Sequence, residues 1–310
     1  MTLFWPKQYA LVKTESDIGV DASPDLSNRL EAVNEFSPEP YAGDTATYNE
    51  LRPYLGASPE VNVAPNTALS ITVPLVGSGS AGSPPAFGAL LRACGLAETV
   101  STSSVVYNPI SEEFETCTIY YVLDNQLHKM TNAIGTPSIN VTAGDFPTIQ
   151  FDMIGTYNHP EAAGQYSGTP PSQPTVIPAN HINTVCSVQG YKAMTQSYVL
   201  NGNTSPTHRS LIGGEEFRIT DRDSGGTVQF DAPDLSQKDF FSAVETSNGV
   251  TKGVIELTHG TQSGNTVKVT ESQAQLSSIS VQDQDGVAQY SMNHKALPEN
   301  GNDEFTLEFS

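Results

Sequence analysis

Apolar and polar residues alternate along most of this chain in short runs. Leu69, Ile71 and Val73 alternate with Ser70 and Thr72, the pattern of a strand with one buried face. The same period predicts first-half strands at 9–14, 69–75, 117–123, 138–142 and 148–154. In the second half it predicts strands at 185–191, 217–220, 227–231, 254–258, 266–270, 276–281, 288–293 and 305–309. Turn signals stand at Ala143-Gly144-Asp145 and Asp283-Gln284-Asp285-Gly286. Helical spacing occurs only around 87–94, where Ser83 is the expected N-cap with Pro84 and Pro85 in the first turn, and around Phe240-Phe241. The expected class is mainly β, a sandwich or barrel, with one short flanking helix in each half.

The chain also resembles itself. Arg52-Pro53-Tyr54-Leu55-Gly56 matches Arg209-Ser210-Leu211-Ile212-Gly213, and Ile71 and Val73 match Val228 and Phe230 at the same offset. Leu90-Leu91 match Phe240-Phe241, Ile139 and Val141 match Ile279 and Val281, and Phe151 and Met153 match Tyr290 and Met292. A stretch with Pro160, Pro170, Pro171, Pro174 and Pro178 separates the copies and reads as a linker. The expected organisation is a domain over 1–160, a Pro-rich linker over 161–180 and a second, degenerate copy over 181–310.

Composition narrows the function. The chain has 310 residues, 34 acidic and 14 basic, for a formal net charge of -20. Residues 1–160 hold 17 acids and 6 bases, and residues 161–310 hold 17 and 8, so the acidity is spread evenly. Affinity for nucleic acid comes from neutralising phosphates with Lys and Arg, which argues against a DNA-binding surface and allows one that must not hold DNA. Cys94, Cys117 and Cys186 form no C-x-x-C and read as buried thiols in a reducing compartment. The N-terminus lacks the long apolar region of a signal peptide, and no run is long and apolar enough to span a membrane. A soluble cytosolic protein is expected.

Catalytic and cofactor motifs fail on inspection. Gly77, Gly79 and Gly82 have dinucleotide-loop spacing. The preceding strand is half polar, however, and Pro84 and Pro85 remove N–H groups that a phosphate would need. The second copy lacks the Gly-rich loop. The six histidines form no metal motif. Asp221-Arg222-Asp223-Ser224-Gly225 starts like a calcium loop, but Ala232 stands where the bidentate Glu belongs. No catalytic residue, metal or cofactor is expected.

The stretches ALVKTESDIGVDASPD, LRPYLGASP and PLVGSGSAGSPPAFGALLRACGLAETV are similar to major tail tube proteins of long-tailed bacteriophages, in the non-contractile, Mu-like siphophage version. TIYYVLDNQLHKMTNAIGT, RSLIGGEEFRITDR, VQFDAPDLSQKDFFSAV and ELTHGTQSGNTV extend the likeness over both copies. The resemblance implies two tandem tail-tube β-barrel or β-sandwich domains per chain. It further implies rings stacked into a hollow tube in the virion tail, built in the host bacterial cytoplasm, with three two-domain chains filling a pseudo-hexameric ring. Its implied partners are other copies of the chain, a tape measure protein inside the tube, and tail terminator and distal tail proteins. Double-stranded DNA would pass through the lumen without specific binding, and no membrane is involved. An acidic lining would suit that passage, and stacking should strengthen as salt screens the charge.

Six exposed-type side chains and one acid are the interface candidates: Phe4, Trp5, Glu39, Tyr41, Arg52, Tyr54 and Arg209. Residues 35–54 show no clear strand pattern and read as a long loop reaching the next ring or folding on its own subunit. Arg52 and Arg209 are scarce cations at matched positions, available for pairs between rings or within one subunit. Phe4 and Trp5 sit at a terminus that either docks on a neighbour or tucks under its own domain. The competing reading is a β-sandwich adhesion or carbohydrate-binding virion decoration protein, which predicts a monomer or small oligomer with an aromatic groove.

Overall fold

The alternation does build strands. The computed structural model describes residues 2–34, 36–164, 166–245, 247 and 249–310. The long-loop segment expected from residue 35 therefore begins on a residue outside the described ones. In the first half the elements are β1 (Gln8–Thr14), β2 (Arg29–Leu30), β3 (Ser37–Thr47), β4 (Glu60–Pro74), α1 (Gly88–Ala93), β5 (Leu96–Val100), β6 (Val105–Pro109), β7 (Cys117–Leu123), β8 (Gln126–Thr142), β9 (Thr148–Tyr157) and β10 (Glu161–Ala162). Then come β11 (Thr184–Val188), β12 (Tyr191–Ala193), β13 (Thr195–Asn201), β14 (Thr204–Leu211), β15 (Gly214–Arg222), β16 (Gly225–Asp231), α2 (Phe241–Val244), β17 (Lys252–His259), β18 (Val267–Gln284), β19 (Val287–Ala296) and β20 (Thr306–Phe309). The protein is mainly β, its sheets are antiparallel and sandwich-like, and they do not close into a barrel.

Several expectations change. Residues 266–270 and 276–281 are one strand, β18, because the break at Ser277 is a bulge and not an end. The run 185–191 is two strands joined at Gln189-Gly190, both with positive φ. Helix α1 starts at Gly88 and its N-cap is Phe87, without a side-chain cap bond. Ser83 is not the cap, because Pro84 and Pro85 stay outside the helix and Gly88 N–H bonds back to Pro85 O at 2.9 Å.

The two halves carry the same strand order. In the first, β1 pairs β7, β7 pairs β8, β8 pairs β9 and β9 pairs β4. In the second, β11 pairs β17, β17 pairs β18, β18 pairs β19 and β19 pairs β16. Even a bulge is repeated: Cys117↔Ala133 and Ile119↔Met130 correspond to Gly253↔Ala274 and Ile255↔Glu271. These ladders make Met292, and not Tyr290, the counterpart of Phe151, since Ile71↔Phe151 corresponds to Val228↔Met292. The sequence match was two residues out of register there, and likewise at Ile139, whose ladder counterpart is Val281 and not Ile279. Tyr and Met both suit a buried strand face, so composition alone could not choose between them.

Each helix lies on the apolar face of its half. Leu90 and Leu91 are fully buried, as is Phe240, while Phe241 is half out in solvent. Phe87, Phe151, Tyr107 and Phe309 pack edge to face or tilted at 5.7–6.1 Å, a geometry that adds to simple burial. One apolar core runs through both halves, from Val12, Ile71 and Phe151 to Phe230, Leu257 and Leu307. Two ladders cross between them: β20 pairs β6, and β8 pairs β13.

The Gly-rich loop finds its use at such a crossing. Gly79 N–H donates to Gly264 O at 2.9 Å, and Gly77 N–H to Asn265 Oδ1 at 3.1 Å. A Cβ on Gly77 would meet Gly264 O at 2.2 Å, and one on Gly264 would meet Gly79 C at 2.6 Å. The glycines allow two backbones to touch.

Candidate assembly surfaces

The most extensive surface is the polar face of the central sheet. Strands β3, β4, β9 and β8 of the first half run into β13, β16, β19 and β18 of the second. Leu69, Ile71, Val73, Phe151, Ile139, Tyr198, Phe230 and Met292 point to the core. Period two sends their neighbours to the other side. That face carries Ser70, Thr72, Gln150, Ser138, Asn140, Asn201, Thr227, Gln229, Ser291, Asn293, Ser280 and Gln282. Side-chain bonds tie it together: Ser138 to Asn201 at 2.6 Å, Gln150 to Asp152 at 3.0 Å, and Gln229 to Gln289 at 2.8 Å and to Gln282 at 3.3 Å.

Charge is sparse here. The face holds Glu39, Asp152 and Asp231 among the acids, and Lys295 as its cation. Lys295 Nζ lies 2.7 Å from Asp223 Oδ2. Among the described residues, the acidic lining expected from the net charge is not on this face. Hydroxyls and carboxamides take its place, because they fit a pleated strand and bond to water and to each other without adding repulsion between strands.

The second surface is a pair of arms. Beyond Glu39, β3 and β4 continue as a hairpin through Thr47↔Glu60, and β14 and β15 form its counterpart through Leu211↔Gly214. Residues 36–54 are therefore mostly strand and arm; Pro38, Pro40 and Gly43 hid the pattern. The matched motifs RPYLG and RSLIG fall at or near the two tips. Leu51, Leu55 and Ile212 are completely exposed there, and Tyr48 and Tyr54 largely so. Asn66 Nδ2 lies 3.3 Å from His208 Nδ1, joining the arms. His208 stacks on Phe217 at 4.4 Å. Phe217 and Ile219 pack on Ile134, which seats the second arm on the sheet.

The candidate residues distribute over these surfaces. Glu39 is exposed on β3. Tyr41 follows it and packs edge to face on Tyr157 at 4.9 Å. Arg52 pairs with Glu50 at 3.5 Å and lies 6.0 Å from the ring of Tyr54. Arg209 pairs with Glu216 at 2.6 Å. Both arginines thus have partners inside their own chain. Phe4 is exposed, its ring 4.8 Å from Lys7 Nζ and its N–H 3.3 Å from Asp124 Oδ2. Trp5 lines a cleft of about 340 Å³ with Gln8, Tyr9, Arg29, Leu30 and Phe36.

The ends of the central sheet are the third surface, and sequence reasoning missed them. β18 from Ser278 to Gln284 has β19 on one side, and β3 from Ser37 to Glu39 has β4 on one side. Among the described residues neither stretch has a second strand partner. Exposed edges invite pairing with another chain.

The profile of the phage tail tube protein family matches residues 6–309. The chain belongs to the phage tail tube protein family. The match covers both halves, the sheet and the arms, and makes this a structural protein of the phage tail. A comparison with curated proteins finds no relative. Membership explains why the extended surfaces are edges, arms and a polar sheet face: a tube subunit works through its contacts. No helix among the described residues is long and apolar enough to cross a membrane.

Proposed function

We propose that the chain is the major subunit of a non-contractile tail tube, in which three copies close a pseudo-hexameric ring and rings stack around a DNA-conducting bore. Each half serves as one tail-tube domain, with the Pro-rich stretch as connection. The observation that carries this reading is the open central sheet. It already joins two like halves edge to edge through β8 and β13, and it ends on two free edges. Head-to-tail contacts of this kind generate rings when the rotation closes, and closure removes the edges.

The polar face lines the bore in this reading. It presents one paired lysine and otherwise no cation to DNA phosphates, so duplex gains no counterion-release affinity from it. The apolar arm tips reach the adjacent ring. A tape measure protein within the bore, terminator and distal proteins at the ends, and assembly in the host cytoplasm belong to the same proposal. The adhesion alternative predicts a 33.1 kDa monomer or a small closed oligomer that does not build up into multiples. Mass photometry across protein and salt concentrations tests the choice. Trimers and their multiples, more populated as salt rises, are expected. A lone monomer peak at every concentration contradicts it.

A further inference from the structure

We infer that one copy's β18–β19 hairpin docks against β3 of the next copy in a defined register, with its tip in the cleft beside Trp5 and Arg29. This rests on the ring reading above and adds the seam to it. The template is inside the chain. β8 pairs β13 antiparallel through Ile139↔Leu200, Asn140↔Val199 and Val141↔Tyr198. The repeated ladders convert each position to its counterpart. Asn140↔Thr148 in β8–β9 corresponds to Gln282↔Gln289 in β18–β19, and Tyr198↔Val228 in β13–β16 corresponds to Phe36↔Ile71, the continuation of Ser37↔Ser70 in β3–β4. The seam between copies is therefore Val281 against Pro38, Gln282 against Ser37 and Asp283 against Phe36.

Two further features fit. At the junction within the chain, Val141 and Ala143 enter a cleft lined by Thr184, Val185, Ala193 and Tyr198. Gln8, Tyr9, Leu30 and Phe36 hold the same ladder positions around the free cleft. The residues that would enter it are Asp283 and Asp285, and the free cleft contains Arg29, with Glu31 as the opposing charge. Val281 is exposed in the isolated chain, whereas its counterpart Ile139 is buried, so the docked edge also gains apolar cover.

The seam is weaker than its template by design of the edge. Gly202 N–H donates to Pro137 O at 2.8 Å at the end of the β8–β13 ladder. Its counterpart on β3 is Pro40, which has no N–H to give, and Pro38 lacks one as well. Prolines on an edge strand limit promiscuous pairing, so the hairpin tip must contribute much of the specificity.

Paired cysteines test the register. Directly opposed residues on antiparallel strands place Cα atoms about 4.5–5.5 Å apart, within the Cα span that a disulfide bridges. The native thiols Cys94, Cys117 and Cys186 are buried and do not compete. Under mild oxidation of assembled protein, Ser37→Cys/Gln282→Cys should give covalent closed trimers, while Glu39→Cys/Gln284→Cys, four residues out of register, should not. Asn140→Cys/Val199→Cys is the matching pair within one chain and should form its bond in the monomer. Rings by electron microscopy without the Ser37–Gln282 bond, or with equal bonding in the shifted pair, overturn the seam and leave the ring reading standing. Absence of both rings and bond overturns both.

Discussion

The two halves solve one packing position in opposite ways. In the second half, Tyr198 OH donates to Glu271 Oε1 at 2.7 Å and His294 Nδ1 lies 2.8 Å from Glu271 Oε2, with Glu271 and His294 fully buried. His294 stacks on Tyr198 at 5.8 Å. Burial, reinforced by the Glu271 carboxylate, pushes the Tyr198 hydroxyl well above its ordinary range, so it stays a donor. The repeated ladders put Phe36, Met130 and Met153 at the corresponding sites of the first half. The same sheet thus accepts either an apolar trio or a polar one with its partners in place. The polar version is an all-or-none unit, because a lone member would be buried without a partner.

That difference supplies the largest predicted effect. Glu271→Ala should cost about 3–5 kcal/mol in denaturant unfolding, as it strands His294 and Tyr198. Transplanting the first half's solution, Glu271→Met with His294→Met and Tyr198→Phe, should recover most of that loss. A triple variant as unstable as Glu271→Ala would show that the halves are not interchangeable at this site.

Gly264 and Gly286 both have positive φ, +83° and +87°, but only Gly264 faces another backbone. Gly286→Ala should cost about 1–2 kcal/mol from the left-handed conformation alone. Gly264→Ala adds the collision with Gly79 and should lower the melting temperature clearly further. Equal losses would remove the claim that the Gly-rich loop and the Gly264 turn are fitted to each other.

A smaller effect concerns acid. Burial pushes His128 in the first half and His259 in the second below the usual imidazole range; for His259 a backbone bond to Ile177 partly opposes it. Each then binds fewer protons folded than unfolded between its lowered value and about 6.5. Stability from these groups is complete above that window and is lost as pH falls through it. The melting temperature should therefore drop between pH 7.5 and 5.5, and drop less in His259→Gln. The smallest effect is at the arms: Arg209→Ala and Arg52→Ala each remove an exposed pair and should change monomer stability by under about 1 kcal/mol. Any larger change they make in assembly then reports on contacts between copies.

Much of the fold is legible along the chain. Strands at 117–123 and 227–231 fall where the sequence puts them: the second has one clean buried face, and the first is a continuous run buried on both faces through Val122. β3 is hidden by Pro38, Pro40 and Gly43, which break the period although the edge strand and its β4 ladder accept them. β13 escapes notice because Tyr198 and Leu200 alone carry its apolar face and Val199 between them breaks the alternation. The unity of β18 is concealed by Ser277 and Ser278, which look like an ending and form a bulge. The assembly surfaces are less legible for a deeper reason. An edge or seam is defined by which strands lack partners, and that is a property of the pairing, not of any residue. Trp5 and Glu39 were visible as candidates, while Arg29 and Val281 became candidates only through the repeated register.

In the proposed assembly the chain builds a tube by closing its open sheet across copies. Negative-stain electron microscopy of the purified protein, at low and at moderate salt, tests it most directly. Three-fold rings with a central hole are expected, stacking into long hollow tubes as salt screens the net charge of -20. Uniform compact monomers under both conditions would contradict it.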